Sequence, residues 1–204
     1  MLTQINQRYL KVVIFTLSLV PIFYIIYQIL TNQLGPEPIK DITHHTGKWT
    51  LYFILITLSM TPLKKITKLN IWINYRRMFG LFIFFYASVH LMTYVGLDYR
   101  FDLGSIGDDI IKKKYIFIGF SAWLLLIPLA ITSNKQMMKI LKDKWKKLHK
   151  LIYLISLFGA IHYLWLVKRD LTEPLIFLTI ILFLLAFRFK FKSSWLEKFL
   201  NFKS

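Results

Sequence analysis

Six long apolar segments, separated by groups of lysine and arginine, dominate this 204-residue chain. They are Val12–Leu30, Trp49–Leu63, Phe79–Leu97, Tyr115–Thr132, Leu148–Val167 and Pro174–Phe187. A helix needs about 20 mainly apolar residues to cross the hydrocarbon core of a bilayer. The pattern therefore predicts an all-α, polytopic bundle of about six transmembrane helices that forms a single domain over residues 1–204. The second and sixth segments are short, and the second becomes longer if its helix starts near His44.

The basic residues indicate which side of the membrane each loop occupies. If the N-terminus is cytoplasmic, the segments on the cytoplasmic side hold 19 of the 27 basic residues but only 2 of the 10 acidic ones. The charges on the other side then cancel, so the whole net charge of +17 lies on the cytoplasmic side. This asymmetry follows the positive-inside rule and predicts cytoplasmic N- and C-termini in the bacterial inner membrane. Lysines beside anionic lipid headgroups explain the high pI better than a nucleic-acid partner does.

The longest outer loop and the absence of cysteine limit the partners and cofactors. The outer loop Gly96–Lys114 carries four aspartates, which suits either a docking surface for a partner or an ordinary solvated loop. The chain has no cysteine, which excludes disulfides, thiolate metal sites and iron–sulfur clusters. Metal chemistry would therefore depend on the five histidines.

Two of the histidines lie deep inside apolar segments. His90 follows Arg76 by 14 residues and His162 follows Lys147 by 15, so both lie about 21–22 Å beyond the inner basic residues. Ionisable side chains within a membrane are costly and tend to be functional. Two imidazoles at equal depth on parallel helices predict the two axial ligands of a heme iron. Zinc fits less well, because a structural zinc site takes four ligands.

His149 lies nearer the cytoplasmic side and allows more than one interpretation. It precedes His162 by 13 residues, which on a continuous helix turns its side chain about 220° away from the face of His162, unless a distortion or a π-bulge intervenes. The matching position on the third segment is Arg76, which does not ligate iron. His149 is thus a candidate ligand of a second heme that lacks an evident partner. Alternatively, Arg76, Arg77 and His149 bind a phosphate group such as that of FMN, or the arginines simply extend to the membrane surface.

Two further histidines, His44 and His45, stand at the outer end of the second segment. His44 is a candidate for a hydrogen bond to a heme propionate or for quinone chemistry. Both histidines are equally well explained as loop residues without a functional role.

Several motifs near these histidines occur together in one known family. They are His44-His45-Thr46-Gly47-Lys48-Trp49, Thr61-Pro62-Leu63, Arg76-Arg77-Met78-Phe79-Gly80-Leu81 leading to Tyr86 and His90, Leu129–Ser133, Trp145–Tyr153 and His162-Tyr163-Leu164-Trp165. In this combination, over roughly residues 34–168, the sequence resembles the MsrQ (YedZ) family of ferric-reductase-like transmembrane proteins. The first apolar segment matches the family little, and lysine replaces arginine at inner positions such as Lys64 and Lys146.

The resemblance implies a function in electron transfer. The family's members are heme b-containing membrane subunits of the MsrPQ protein-methionine-sulfoxide reductase system. Electrons would come from the quinone pool or a cytoplasmic flavin reductase and pass through heme, and apparently FMN, to MsrP. MsrP is the periplasmic molybdopterin subunit, which carries out the sulfoxide reduction and so repairs oxidised envelope proteins. The heme ligands of the family map onto His90 and His162, and His149 matches a third family position.

Two other classes of function compete with this interpretation. A transmembrane ferric reductase, or another cytochrome b-type oxidoreductase, would need a separate flavin donor here, since no G-x-G-x-x-G motif follows Phe187. A transporter or channel would be expected to show repeats, broken helices and intramembrane carboxylates. The apolar segments show none of these features at the level of sequence.

Overall fold

The computed structural model of the chain describes residues 2–187, with side chains described from Arg8 onward. Its helices are α1 Leu2–Leu30, α2 Pro38–Thr67, α3 Ile71–Met92, α4 Leu103–Lys112, α5 Lys114–Ile131, α6 Lys135–Leu148, α7 Leu151–Leu166 and α8 Thr172–Ala186. A π-helical segment, Thr93–Asp98, continues α3. The described residues contain no strand, which confirms the all-α prediction for this part of the chain. The inner basic residues from Arg188 to Lys203 lie outside the described residues.

Two antiparallel helix pairs form the body of the bundle. α2 packs along α3, with Trp72 bonded to Thr67 at one end of the pair and His90 bonded to Thr43 at the other. α5 packs along α7 in the same way. At one end of this pair His162 is bonded to Tyr115, and at the other Thr132, just after α5, is bonded to His149, just before α7. α8 packs against α7 and α2, while α1 lies on the outside of α2 and α3. The functional cavities form where the two pairs meet.

Aromatic stacking fills the interface between α2 and α3. The Phe53 ring stacks on those of Phe82 and Tyr86, with ring centroids 5.3 and 5.1 Å apart. Leu58 and Ile83 beside them are completely buried. Offset and tilted ring contacts of this kind add to the stabilisation from apolar burial. They hold the two helices rigidly enough to fix the side chains farther along them.

The lengths of the apolar helices limit how many spans the structure supports. Within residues 2–187, three helical stretches are long and apolar enough to cross a membrane: Arg8–Leu30, Ile71–Asp98 and Lys114–Ile131. The bent pair α6 and α7, with an angle of 47° between them, makes a fourth if it counts as one span. α8 has 15 residues, and α2 has only 15 between Lys48 and Lys64, against the usual requirement of about 20. A helix covers each predicted segment, while the total of six spans stays a prediction.

The second helix starts much earlier than the apolar segment suggests. Pro38 occupies its first turn, where a missing N–H costs no hydrogen bond. Asp41, also in the first turn, accepts a bond from the Gly35 N–H at 2.8 Å. Of the two alternatives for His44 and His45, a loop or an earlier start of the second helix, the structure shows the second, because both residues belong to α2.

The outer segment between α3 and α5 is also helical in part. Asp102 caps α4 by accepting the Gly104 and Ser105 N–H groups at 3.1 and 3.3 Å, which satisfies donors that the first turn of a helix leaves free. This outer region, expected to be a loop, therefore contains a capped helix.

Candidate functional site

A cavity of about 660 Å³ lies between the two helix pairs, and we call it the upper cavity. His90 of α3 and His162 of α7 face each other across it. Their ring centroids are 6.1 Å apart and their ring planes are inclined by 83°. The structure thus brings together the two side chains that the sequence placed at equal depth.

Each of these imidazoles is oriented by a backbone carbonyl on a neighbouring helix. Nδ1 of His90 lies 2.9 Å from the carbonyl oxygen of Thr43 on α2. Nδ1 of His162 lies 2.6 Å from the carbonyl oxygen of Tyr115 on α5. A carbonyl oxygen can only accept, so Nδ1 carries the proton in both rings. The Nε2 lone pairs therefore stay available for a metal, with the second-shell carbonyls fixing the ring orientation.

A glycine one helical turn beyond each carbonyl makes room for the ring. A Cβ atom at Gly47 would lie 3.0 Å from Cε1 of His90, and one at Gly119 would lie 2.5 Å from Nδ1 of His162. The carbonyl and the glycine are four residues apart in both cases, so α2 and α5 hold their histidines in the same way. Any larger residue at either position would fill the space that the imidazole occupies.

The residues of the upper cavity fit a heme. A metal bound between two imidazoles is about 2 Å from each nitrogen. The distance between the two ring centres is then the sum of two metal–nitrogen bonds and, in each ring, the distance from the bound nitrogen to the ring centre. The observed centroid distance of 6.1 Å agrees with this requirement. A heme iron takes its four equatorial ligands from the porphyrin and needs only two from the protein. The cavity volume also falls in the usual range for cofactor pockets, about 300–1,000 Å³.

A second cavity of about 490 Å³ lies nearer the end of the bundle that carries Arg76, Arg77 and Lys146, and we call it the lower cavity. Arg76 and Arg77 of α3 and His149 line it, so the structure brings together the three residues of the candidate phosphate site. Lys146 and Lys150 add further positive charge to its wall. Such a wall can neutralise an anionic group through charge-assisted hydrogen bonds.

His149 occupies a break between two helices. α6 ends at Leu148 and α7 starts at Leu151, so the 220° rotation expected for a continuous helix from His149 to His162 does not apply. The condition of a continuous helix is not met, because the chain bends by 47° between α6 and α7. The direction of the His149 side chain follows from its own contacts instead.

Two residues hold the His149 ring in place. It stacks on Trp145 with ring centroids 4.0 Å apart, and its Nε2 lies 3.0 Å from the hydroxyl oxygen of Thr132. That hydroxyl donates to the Pro128 carbonyl at 2.7 Å, so its oxygen accepts the Nε2 proton of His149. Within the described part of the chain, Nε2 of His90 and of His162 makes no hydrogen bond, whereas Nε2 of His149 is bonded to Thr132.

The two cavities share one wall residue. Leu126 of α5, which is 3% exposed, lines both the upper and the lower cavity. Ligands in the two cavities would therefore be separated at this point by a single apolar side chain.

Comparison with known proteins agrees with this arrangement. Residues 45–160 match the family described as ferric reductase like transmembrane component. A protein-methionine-sulfoxide reductase heme-binding subunit MsrQ from Xanthomonas euvesicatoria pv. vesicatoria is 48% identical over 166 residues, covering 81% of this chain and 76% of that protein. The MsrQ subunit from Herminiimonas arsenicoxydans is 45% identical over 182 residues, covering 88% of this chain and 84% of that protein.

The chain belongs to the MsrQ family of ferric-reductase-like transmembrane proteins. No solved structure matches it. The matched residues include all of α3 and α5 and most of α2 and α7; His90 lies within them, and His162 follows two residues after their end.

In this MsrQ-family chain, His44 lies at the outer mouth of the upper cavity. Burial, followed by the charges of Lys40 and Lys48, lowers its pKa and so favours the neutral imidazole. Lys48, one turn farther along α2, pairs with Glu173 at 2.8 Å. Glu173 also accepts a hydrogen bond from Tyr163 at 2.8 Å. This half-exposed network links α2, α7 and α8 beside the mouth.

Sequence reasoning missed the residues that orient the two imidazoles. The carbonyls of Thr43 and Tyr115 leave no trace in the sequence, because every residue has one. Gly47 belongs to a family motif but was assigned no function, and Gly119 looks like any small residue in an apolar helix. A glycine at the depth of a candidate ligand on a neighbouring segment is the one signal that could have found them.

Proposed function

We propose that this chain is a heme b-containing electron-transfer subunit of the bacterial inner membrane. The observation that supports this most is the His90–His162 pair, with both Nδ1 atoms bonded to helix carbonyls and both Nε2 atoms free. The relatives at 45–48% identity are named heme-binding subunits, which supports the proposal further. Heme supplies a one-electron carrier, and two imidazole ligands favour electron transfer because they leave no open site on the iron.

The chain's own residues supply the environment for that carrier. The Thr43 and Tyr115 carbonyls accept hydrogen bonds from the Nδ1–H groups and so make Nε2 of each imidazole a stronger ligand for a metal. Apolar side chains from five helices, among them Leu51, Ile54 and Leu126, line the cavity and would limit the access of water to its centre. Rigid ligands and a dry surrounding reduce the rearrangement that accompanies a change of charge.

Electrons would enter from the quinone pool or a cytoplasmic flavin reductase and leave toward a periplasmic partner. We propose that this partner is the molybdopterin subunit MsrP, which would reduce oxidised methionines and so repair envelope proteins. The proposed topology has six spans, a single domain and both termini in the cytoplasm, with His44 at the periplasmic mouth. The name of the relatives, a subunit of a protein-methionine-sulfoxide reductase, supports a partner of this activity.

For the lower cavity we propose FMN as the occupant, with its phosphate bound by Arg76 and Arg77. The engaged Nε2 of His149 favours this over a second heme, since that ring presents no free Nε2. A second heme held by His149 is the alternative for this cavity. For the chain as a whole, the alternative is a transmembrane ferric reductase or similar cytochrome b-type oxidoreductase with a separate flavin donor, which the family match also accommodates.

Heme quantification of purified protein tests the main proposal. The wild type should give a low-spin b-type redox difference spectrum, and His90→Ala and His162→Ala should each lose most of the heme or convert it to a high-spin form. His149→Ala should keep the low-spin spectrum of the upper cavity. A normal low-spin spectrum in both His90→Ala and His162→Ala would disprove the ligand assignment. Wild-type protein without heme would disprove the electron-transfer function.

A further inference from the structure

Thr57 of α2 carries a buried hydroxyl without a partner. Among the side chains that the structure describes, its Oγ1 is the one buried nitrogen or oxygen that makes no hydrogen bond. The residue is 3% exposed and lines the lower cavity. Buried polar atoms nearly always have a partner, and an exception requires an explanation such as a ligand.

Other hydroxyl groups on the same helix behave differently. The side chains of five residues donate to the carbonyl one turn earlier, at distances between 2.7 and 3.0 Å: Thr43, Thr46, Thr50, Ser59 and Thr67. Such a bond satisfies a hydroxyl within its own helix. Thr57 could use the carbonyl of Phe53 in the same way but does not. Its hydroxyl is therefore available to a group inside the lower cavity.

The lower cavity is polar at two separate levels. Thr57 lies ten residues beyond Gly47 on α2, and Arg76 lies 14 residues before His90 on the antiparallel α3. With Gly47 against His90, Thr57 is about 15 Å and Arg76 about 21 Å below the upper histidine pair. The hydroxyl is thus roughly 6 Å deeper in the bundle than the arginine. Apolar Leu126, Leu129 and Ile152 also line this cavity.

We propose that Thr57 is a cofactor-binding residue whose hydroxyl forms a hydrogen bond with the polar edge of a flavin ring in the lower cavity. This inference rests on the proposed function, which assigns FMN to that cavity. FMN carries a phosphate at one end and the carbonyl and N–H groups of its pyrimidine ring at the other. Those two ends match the arginines and Thr57.

A porphyrin does not match the same two levels. Its two carboxylates lie on one edge, so a heme that placed them on Arg76 and Arg77 would present hydrocarbon to Thr57. The hydroxyl would then stay without a partner, which is unfavourable in a buried place. Thr57 therefore selects for a ligand with hydrogen-bonding groups at both ends.

The contact is tested by titrating purified, heme-loaded protein with FMN and measuring binding from the quenching of flavin fluorescence. Thr57→Val keeps the shape of the side chain and removes the hydroxyl, and Thr57→Ala removes it by a second route. Both should weaken FMN binding about 3- to 10-fold, the loss expected for one neutral hydrogen bond. Thr57→Ser should bind within about two-fold of the wild type, since it keeps the hydroxyl. Ser59→Ala, which removes a hydroxyl already bonded to Leu55 on the same helix, should leave the affinity unchanged.

The heme spectrum of the upper cavity reports whether each variant is folded. Equal or tighter FMN binding by folded Thr57→Val and Thr57→Ala would overturn the Thr57 contact and leave FMN in the cavity. Heme-loaded wild type that binds no FMN would overturn both the contact and the flavin assignment, while the His90–His162 function would stand. A wild type without heme would instead disprove the proposed function itself.

Discussion

Gly119 lies so close to His162 that a Cβ atom at this glycine would come within 2.5 Å of the ring Nδ1. Real Cβ atoms essentially never approach a neighbour below 3.0 Å. The helix α5 therefore contributes to the His162 site twice: the Tyr115 carbonyl bonds the ring, and Gly119 leaves space for it. Both features depend on the backbone of α5 being in direct contact with the imidazole.

Gly119→Ala should displace His162 and disturb heme binding. The added methyl group would force the ring away from the Tyr115 carbonyl, and overpacking of this kind costs about 1–3 kcal/mol. We expect the heme retained per purified chain to fall several-fold, with a high-spin component in the optical spectrum. Gly47→Ala should have a smaller effect, because its Cβ would be 3.0 Å from the His90 ring.

Gly80→Ala is the matched control for this prediction. A Cβ atom there meets nothing within 4 Å, although Gly80 also lies in a helix of the bundle. Its heme content should equal that of the wild type. A similar loss of heme in all three variants would mean that the change in the helices, and not the contact with the histidine rings, is responsible.

The pairing of His90 with His162 could be predicted because both counts of residues run mainly along one helix. The count from Arg76 to His90 stays within α3, and the count from Lys147 to His162 crosses the break between α6 and α7 near its start and then follows α7. Along a helix a count of residues converts directly into depth, and the counts of 14 and 15 residues from the inner basic residues differ by one. His149 could not be treated in this way, since the helix ends just before it. The stack on Trp145 and the bond to Thr132 decide its orientation, and both come from tertiary packing.

Other features of the sites have no counterpart in the sequence. The free hydroxyl of Thr57 depends on a side-chain rotation that distinguishes it from the other threonines of α2. The Thr43 and Tyr115 carbonyls are ordinary backbone groups. The early start of α2, in contrast, could have been predicted, because Pro38 and Asp41 are typical residues for the first turn of a helix. The apolar segment of a sequence indicates only the part of a helix that would lie in lipid, and the helix itself can extend beyond it.

Two hydrogen bonds attach α1 to the bundle, and their removal should loosen this helix without changing the heme. The His45 Nε2 lies 2.9 Å from the Pro21 carbonyl, and the Tyr86 hydroxyl donates to the Ser18 carbonyl at 2.8 Å. His45→Ala combined with Tyr86→Phe should lower the thermal stability, by about 0.5–1.5 kcal/mol per bond. Proteolysis of the α1–α2 connection should become faster.

The heme spectrum separates this effect from a change at the cofactor. Neither His45 nor Tyr86 lines the upper cavity, so the double variant should keep the wild-type low-spin spectrum. Loss of heme together with the loss of stability would show that α1 takes part in forming the cavity, contrary to this prediction.

The absence of cysteine makes the topology testable with single introduced thiols. Ser105→Cys lies on α4, in the outer region, and Lys139→Cys lies on α6, among the inner basic residues. A membrane-impermeant maleimide should label Ser105→Cys in intact spheroplasts and Lys139→Cys only after permeabilisation. Both positions are exposed, so accessibility of the side chain does not limit either reaction. The reverse pattern would refute the orientation derived from the positive-inside rule.

The carboxylate of Asp109 joins the outer helix α4 to the end of α3. It accepts hydrogen bonds from Tyr94 and Tyr99 and pairs with Lys113 at 2.6 Å. The Lys113 ammonium, followed by the Tyr99 hydroxyl, lowers the pKa of Asp109 below its usual range. A carboxyl group whose pKa is lowered by folding stabilises the folded state above its unfolded pKa, and this contribution disappears as the pH falls through the folded value.

Asp109→Asn should therefore loosen the outer segment at neutral pH in the way that acid loosens it in the wild type. Hydrogen–deuterium exchange, corrected for the intrinsic effect of pH on the exchange rate, should be faster over residues 96–114 in the variant at pH 7. The wild-type segment should stay protected at pH 7 and lose protection only below about pH 4, near the ordinary range of a carboxyl group. Asp108→Asn is the matched control, since Asp108 is exposed and pairs only with Lys112 one turn away. Equal exchange in Asp109→Asn and the wild type at pH 7 would mean that the apolar contacts of Ile106 hold α4 in place without the carboxylate.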